Sequence, residues 1–144
     1  MYWLLILAGA LTTTPTVNTA TDATAFRLIV NQGNETNTIR QTDVARIFLK
    51  RKREWSGGQP IRPIDQSASS RVRSDFSREM LDMSLGEVRN HWMKVLLSGR
   101  DVPPIVRESD QQVLEFVRTE PGAIGYISRD VEVPAGVKTV AVAQ

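Results

Sequence analysis

The chain contains no cysteine and a single histidine. The first absence excludes a disulfide framework, thiolate zinc sites, cysteine nucleophiles and thioether-type lipid anchors. The second excludes a His-rich metal centre. No apolar run reaches the about 18 residues that a membrane-spanning helix needs, so no stable span is expected in the mature chain. A dominant charge is also missing. Lys and Arg total 18 and Asp and Glu total 16, a net charge of +2. That balance argues against an obligate nucleic-acid binder, whose basic face normally dominates the count. There is no HExxH, GxSxG, Walker-type loop or paired-carboxylate pattern. The reading is therefore of a non-enzyme, with no catalytic residue, no cofactor and no metal. What is present is a 41% hydrophobic composition over 144 residues, enough for one packed core in one domain.

The first 25 residues read as a separate segment. Met1–Leu11 is an apolar run of the length of a signal-peptide hydrophobic region. Thr12–Thr24 is rich in Thr and Ala, and Ala23-Thr24-Ala25 is a small-x-small cleavage pattern. Cleavage is expected after Ala25, with Ala20 as an earlier choice. The segment before the apolar run has no Lys or Arg, and a buried apolar N-terminal strand is the competing reading. Export leaves a mature domain of residues 26–144 in the periplasm or outside the cell.

The mature region alternates strand and helix signals. Phe26–Asn31 is β-rich and ends before Gly33-Asn34. Val44, Ile47 and Phe48 share one stripe of a helix from about Thr42 to Lys50, with Thr42 or Asp43 as candidate caps. Ile61–Asp65 is a second short strand, and Pro63 suggests an edge position. Val72, Phe76, Met80 and Met83 mark the next helix. Ser84-x-x-Glu87 opens a third with a capping box, and its predicted buried stripe is Val88, Trp92, Val95 and Leu96. Arg100–Glu108 reads as a loop stiffened by Pro103-Pro104. Ser109-x-x-Gln112 is a second capping-box pattern, before Val113, Phe116 and Val117. Gly122–Ser128 and Val137–Val142 read as the last strands. The order βαβαααββ predicts an α/β domain, one small mixed sheet with helices packed on it, and short connections favour a parallel core.

The loop Gln66–Ser70 lies between a strand and a helix N-terminus, where unpaired N–H groups and the helix dipole attract anions. Ser67, Ser69 and Ser70 add hydroxyl donors. Arg71 and Arg73 add charge and bidentate geometry. A Ser-rich cap with two exposed arginines is the plainer alternative. Lys50–Arg53 is the one basic run, and it reads as a solvated helix end complementing the dipole, with a nucleic-acid or anionic-membrane contact as the lesser alternative because no aromatic interleaving supports base stacking. His91 reads as a boundary residue, and Trp55 and Trp92 as core or turn packing. Asp65 is either a turn cap or a ligand-orienting carboxylate.

Several of these segments together resemble a family. Asp43–Leu49, then Trp55, Gly57-Gly58 and Ile61–Ile64, look like the periplasmic phosphate-binding proteins of ABC transporters. In that family a helix ending Ile-Phe-x-Gly-Lys precedes a tryptophan and a strand that leads to the anion loop. Phe76 and Leu81 match the helix after the loop. Pro121-Gly122-Ala123-Ile124-Gly125-Tyr126 matches the family's strand PGAIGYV. The resemblance runs from Phe26 to about Val142 and implies one lobe of a two-lobed binding protein, as in its short single-lobe members. The family's anion loop reads Arg-x-Asp-x-Ser-Gly-Thr. The same frame here is Gln66-Ser67-Ala68-Ser69-Ser70-Arg71-Val72, and only Ser70 stands as the family has it. The resemblance implies phosphate or a similar oxyanion as ligand and an envelope transporter or sensor as partner. The competing reading is a single-lobe interaction module of the envelope that keeps the fold and has lost the ligand. Ser69-Ser70-Arg71 favours binding; Gln66 and the single lobe favour the module.

Overall fold

Phe26–Asn31 forms the central strand, β1, because both its faces carry apolar side chains. Phe26, Leu28 and Val30 point to one side and Ile29 to the other, and all four are buried. The computed structural model describes residues 24–144. The expected leader lies outside the described residues except for Thr24 and Ala25. The Ala25 carbonyl accepts the Arg129 N–H at 3.0 Å.

After β1 the chain forms β2 (Thr38–Arg40), α1 (Gln41–Phe48), β3 (Arg62–Gln66), α2 (Arg71–Leu81) and α3 (Leu85–Leu97). It continues as β4 (Ile105–Arg107), α4 (Asp110–Thr119), β5 (Ala123–Ser128) and β6 (Val137–Ala143). The six strands lie in the order β2-β6-β1-β5-β3-β4. This is a mixed sheet with helices on both faces, an α/β architecture. The expected parallel core is not found. β1 runs antiparallel to both its neighbours, β5 and β6, and parallel pairing is confined to β2–β6, β3–β5 and β3–β4.

The sheet separates two apolar clusters. On one side Leu28, Ile124, Tyr126 and Val140 meet Val44, Ile47 and Phe48 of α1 and Val72, Phe76 and Met80 of α2. On the other, Ile29, Ile64 and Ile127 meet Val113, Leu114 and Val117 of α4. Gly125 makes the second contact possible. A Cβ there would stand 2.8 Å from Ile64 Cγ2 and 2.9 Å from Val113 Cγ1. Burial of a continuous apolar face on each side is the main stabilising term.

The structure corrects several expectations. β2 and β4 were not foreseen, because three-residue strands carry almost no period. β3 is interior, with β5 on one side and β4 on the other. Pro63 is tolerated because Arg62 N–H bonds toward β5, to Gly122 O at 2.9 Å. The next backbone nitrogen therefore faces the opposite flank, where the β4 ladder begins only at Ile64. α1 starts at Gln41 with Arg40 as its N-cap and no side-chain cap, so neither Thr42 nor Asp43 caps it. α2 ends at Leu81, stopped by Asp82 in the left-handed region, and Met83 lies beyond it. α3 has the predicted capping box in full. Its buried residues are Val88 and Trp92, while Val95 is half-buried and Leu96 exposed. In α4, Ser109 accepts from Gln112 N–H, but the Gln112 side chain caps the N–H of Glu108 instead of that of Ser109. Leu114 is buried there and Phe116 is only half-buried. Among the described residues no helix is long and apolar enough to cross a membrane.

Candidate anion site at the start of α2

β3 delivers Asp65 and Gln66, both buried, to the end of the sheet. Pairing with β4 lasts to Gln66, and Ser67 N–H still donates to Arg107 O at 3.0 Å. The chain then turns, with Ser70 N–H donating to Ser67 O at 2.9 Å, and α2 begins at Arg71.

Ser70 is the N-cap by position, with extended backbone, yet its side chain caps no N–H of α2. Its hydroxyl instead donates to Gln66 Oε1 at 2.8 Å. The first turn of α2 is thus left without the side-chain oxygen that usually satisfies it. The Ser67 and Ser69 hydroxyls lie 3.1 Å apart at the surface. Arg71 is exposed at the first helical position, and it has no carboxylate partner among the described residues.

Arg73 turns inward. Its Nη2 lies 3.1 Å from Asp65 Oδ2, and its Nη1 donates to Gln66 O at 2.6 Å. Its Nε is buried without a hydrogen-bond partner among the described residues. Asp65 Oδ1 accepts from Gln66 N–H at 2.8 Å and from the Tyr126 hydroxyl. Burial pushes the Asp65 carboxyl above the usual carboxylate value, against the opposing charge of Arg73 and the Tyr126 bond. Burial and the neighbouring carboxylate hold the Tyr126 hydroxyl protonated far above its ordinary range. The Tyr126 ring stacks on Phe76, centroids 3.9 Å apart, with Phe26 and Phe48 around the pair. This aromatic wall excludes water from one side of the Asp65–Arg73 pair.

Gln66 also faces inward. Its Nε2 donates to Asp110 Oδ1 at 2.7 Å and to Tyr126 O at 3.0 Å. Asp110 Oδ1 accepts Ser128 N–H as well, at 3.1 Å. Gln66 therefore braces the loop against α4 and β5. The structure brings Ser67, Ser69, Ser70 and Arg71 to one exposed corner and places Arg73 beneath it. Asp65 is a buried ion-pair partner, where a turn cap or a ligand contact was expected. Sequence reasoning missed Asp110 and Tyr126. Tyr126 lay inside a recognised strand motif, and Asp110 stood in the first turn of a capped helix, so neither signalled a polar hub.

The other singled-out residues lie elsewhere. Trp55 Nε1 donates to Gly122 O at 3.0 Å, which ties the turn after α1 to the start of β5. In the basic run, Lys50 and Arg53 pair with Asp101 at 3.8 and 2.6 Å, and Lys52 pairs with Asp43 at 3.5 Å. His91 lines a cleft between that run and α3. Among the described residues no cluster of His, Cys, Asp and Glu is suited to a metal ion.

No protein-family model matches the chain. Its fold is shared with an ABC-type phosphate transport receptor from Vibrio cholerae, with a TM-score of 0.64 at 19% identity. That match covers 82% of this chain and 46% of the receptor. A phosphate ABC transporter substrate-binding protein from Clostridium perfringens, solved with bound phosphate, gives a TM-score of 0.63 at 20% identity. It covers 82% of this chain and 44% of that one. The chain thus spans less than half the length of these structures, and the resemblance drawn from its motifs is matched in fold. Human protein spire homolog 2 is 22% identical over 90 residues, which are 60% of this chain and 13% of that protein.

Proposed function

We infer that this chain is an exported binding protein of the phosphate-transporter type, a single lobe that holds phosphate or a similar oxyanion weakly and catalyses nothing. Its leader is removed after Ala25, and the mature lobe works in the periplasm or outside the cell. Its partner is an envelope transporter or sensor. The observation that carries the reading is the start of α2. A helix N-terminus without a side-chain cap opens beside an exposed Arg71 that has no carboxylate partner among the described residues, at a strand-to-helix corner of a fold shared with phosphate receptors.

The ligand is held by the hydroxyls of Ser67, Ser69 and Ser70, by N–H groups of the first turn and by arginine. Ser70 can accept the role because its hydroxyl is only 2.8 Å from a neutral amide oxygen that it can exchange for a charged one. Arg71 supplies the uncompensated charge. Arg73 contributes less field, because Asp65 answers its charge. A charge-assisted contact is worth about 1.5–3 kcal/mol. With one face of the ligand open to water, screening keeps affinity in roughly the micromolar-to-millimolar range.

Titration calorimetry with phosphate and with sulfate tests this. Saturable binding of either anion, lost in Ser70→Ala with Arg71→Ala and kept when Lys50–Arg53 is altered, supports it. No heat at millimolar anion, or loss only on altering Lys50–Arg53, contradicts it and leaves the interaction module.

A further inference from the structure

The cleft between the end of α1 and the end of α3 shares no residue with the α2 corner. It has a volume of about 410 Å³ and is lined by Lys50, Arg51, Arg53, Lys94 and Arg100, with Asp101 as the one carboxylate on its wall. Asp101 is committed to Arg53 and Lys50. Arg51, Lys94 and Arg100 are exposed and have no carboxylate partner among the described residues. In a chain whose net charge is only +2, this concentrates the positive surplus at one end of the molecule.

Another side of α3 carries exposed apolar residues. Met93, Leu96, Leu97 and Val102 are 54%, 47%, 82% and 56% exposed. Met93, Leu96 and Leu97 stand three and four residues apart and so share a face of α3. Lys94 and Arg89 border that face by the same spacing, and both are exposed. Single exposed aliphatics are ordinary, but three large ones on one helix face, bordered by cations, mark an interaction surface.

We propose that this end of the molecule docks on an anionic lipid surface, with Leu97, Met93 and Leu96 entering the headgroup boundary and the cleft cations meeting lipid phosphates. Charge complementarity selects the occupant, since the surface is cationic with almost no counter-charge. Its shape does too. Leu97, at 82%, is the most exposed large apolar residue among the described residues. A projecting aliphatic tip flanked by long cations suits a fluid boundary, where Lys and Arg stems lie along acyl chains and their heads reach outward. The proposal stands whether or not the α2 corner holds phosphate.

The test is flotation of the full chain with vesicles of phosphatidylcholine and phosphatidylglycerol in equal parts, against pure phosphatidylcholine vesicles. Binding is expected to the mixed vesicles. Arg51→Glu with Lys94→Glu should weaken it about 25-fold or more, from roughly fivefold for each lost cation. Leu97→Ser should weaken it about tenfold. Arg27→Glu, an exposed cation on β1, should change it little, and circular dichroism should show each variant folded. Absence of binding to the mixed vesicles overturns the proposal, and so does equal weakening by Arg27→Glu. Binding through the apolar run Met1–Leu11 would occur on both vesicle types and survive the α3 and cleft variants, which also overturns it. Phosphate binding at α2 is read separately and is untouched by any of these results.

Discussion

Replacing Arg73 with methionine removes the cation beneath the anion corner and keeps most of its apolar volume. The guanidinium bonds Asp65 Oδ2 and the Gln66 carbonyl. Asp65 is buried and Arg73 is half-buried, so bulk water compensates neither fully. Breaking a buried pair by deleting one partner costs about 3–5 kcal/mol, because the remaining charge is left uncompensated. The cost must depend on pH. In the folded protein the Asp65 carboxyl already sits above its ordinary value of 3.8, raised by burial and opposed by Arg73. Without Arg73 it rises further. A carboxyl whose folded pKa is raised contributes stability that is complete below its unfolded value and lost as pH rises through the folded one. The Arg73→Met penalty is therefore smallest at or below the unfolded carboxyl's pKa of about 4 and grows as pH rises above it. Urea denaturation followed by circular dichroism at several pH values measures it. Adding Asp65→Asn should restore part of the loss, since Asn still accepts from Tyr126 and Gln66 and brings no charge. A neutral-pH penalty below about 1 kcal/mol, or a penalty that is flat across this range, would refute the account of a buried ion pair supporting the loop.

Trp92→Ala should cost about 3 kcal/mol in the same assay, the low end for a buried aromatic, because α3 buries only Trp92 and Val88 and its neighbours can relax. An unchanged midpoint would mean that the ring anchors nothing. Gly122→Ala should be worse than Gly125→Ala. The new Cβ would sit 2.1 Å from Pro60 O, a backbone atom, whereas at Gly125 it meets side-chain methyls. Losses of at least about 3 kcal/mol against about 1–3 kcal/mol are expected, and the reverse order would contradict the packing. N-terminal sequencing of protein from an envelope fraction should begin at Phe26, or at Thr21 if cleavage follows Ala20. An intact Met1 in the cytosol would contradict export.

Long periodic segments were legible in the sequence. Val44, Ile47 and Phe48 on α1, and Val72, Phe76 and Met80 on α2, face the core as their spacing requires. The Ser84–Glu87 capping box was legible too, since both of its bonds are local. Strand direction was not. β1 lies antiparallel between β5 and β6, a pairing across the whole chain that no local period encodes. β2 and β4 were missed for the same reason, because each exists only through its parallel partner. At the site, the serines and Arg71 were visible as residue types at a helix start. The inward turn of Gln66 was not, because it depends on Tyr126 and Asp110, which are 60 and 44 residues away. The apolar end of α3 escaped as well. Val95 and Leu96 fit a buried stripe by period, but Val95 is only half-buried and Leu96 is exposed.

The central claim is that the start of α2 takes an oxyanion. Phosphate titration of isotopically labelled protein, followed by amide chemical shifts, tests it most directly. Saturable shifts are expected, clustered on Ser67–Arg73 and absent from the Ser70→Ala, Arg71→Ala double variant. No shifts at millimolar phosphate, or shifts centred on Lys50–Arg53, would contradict it.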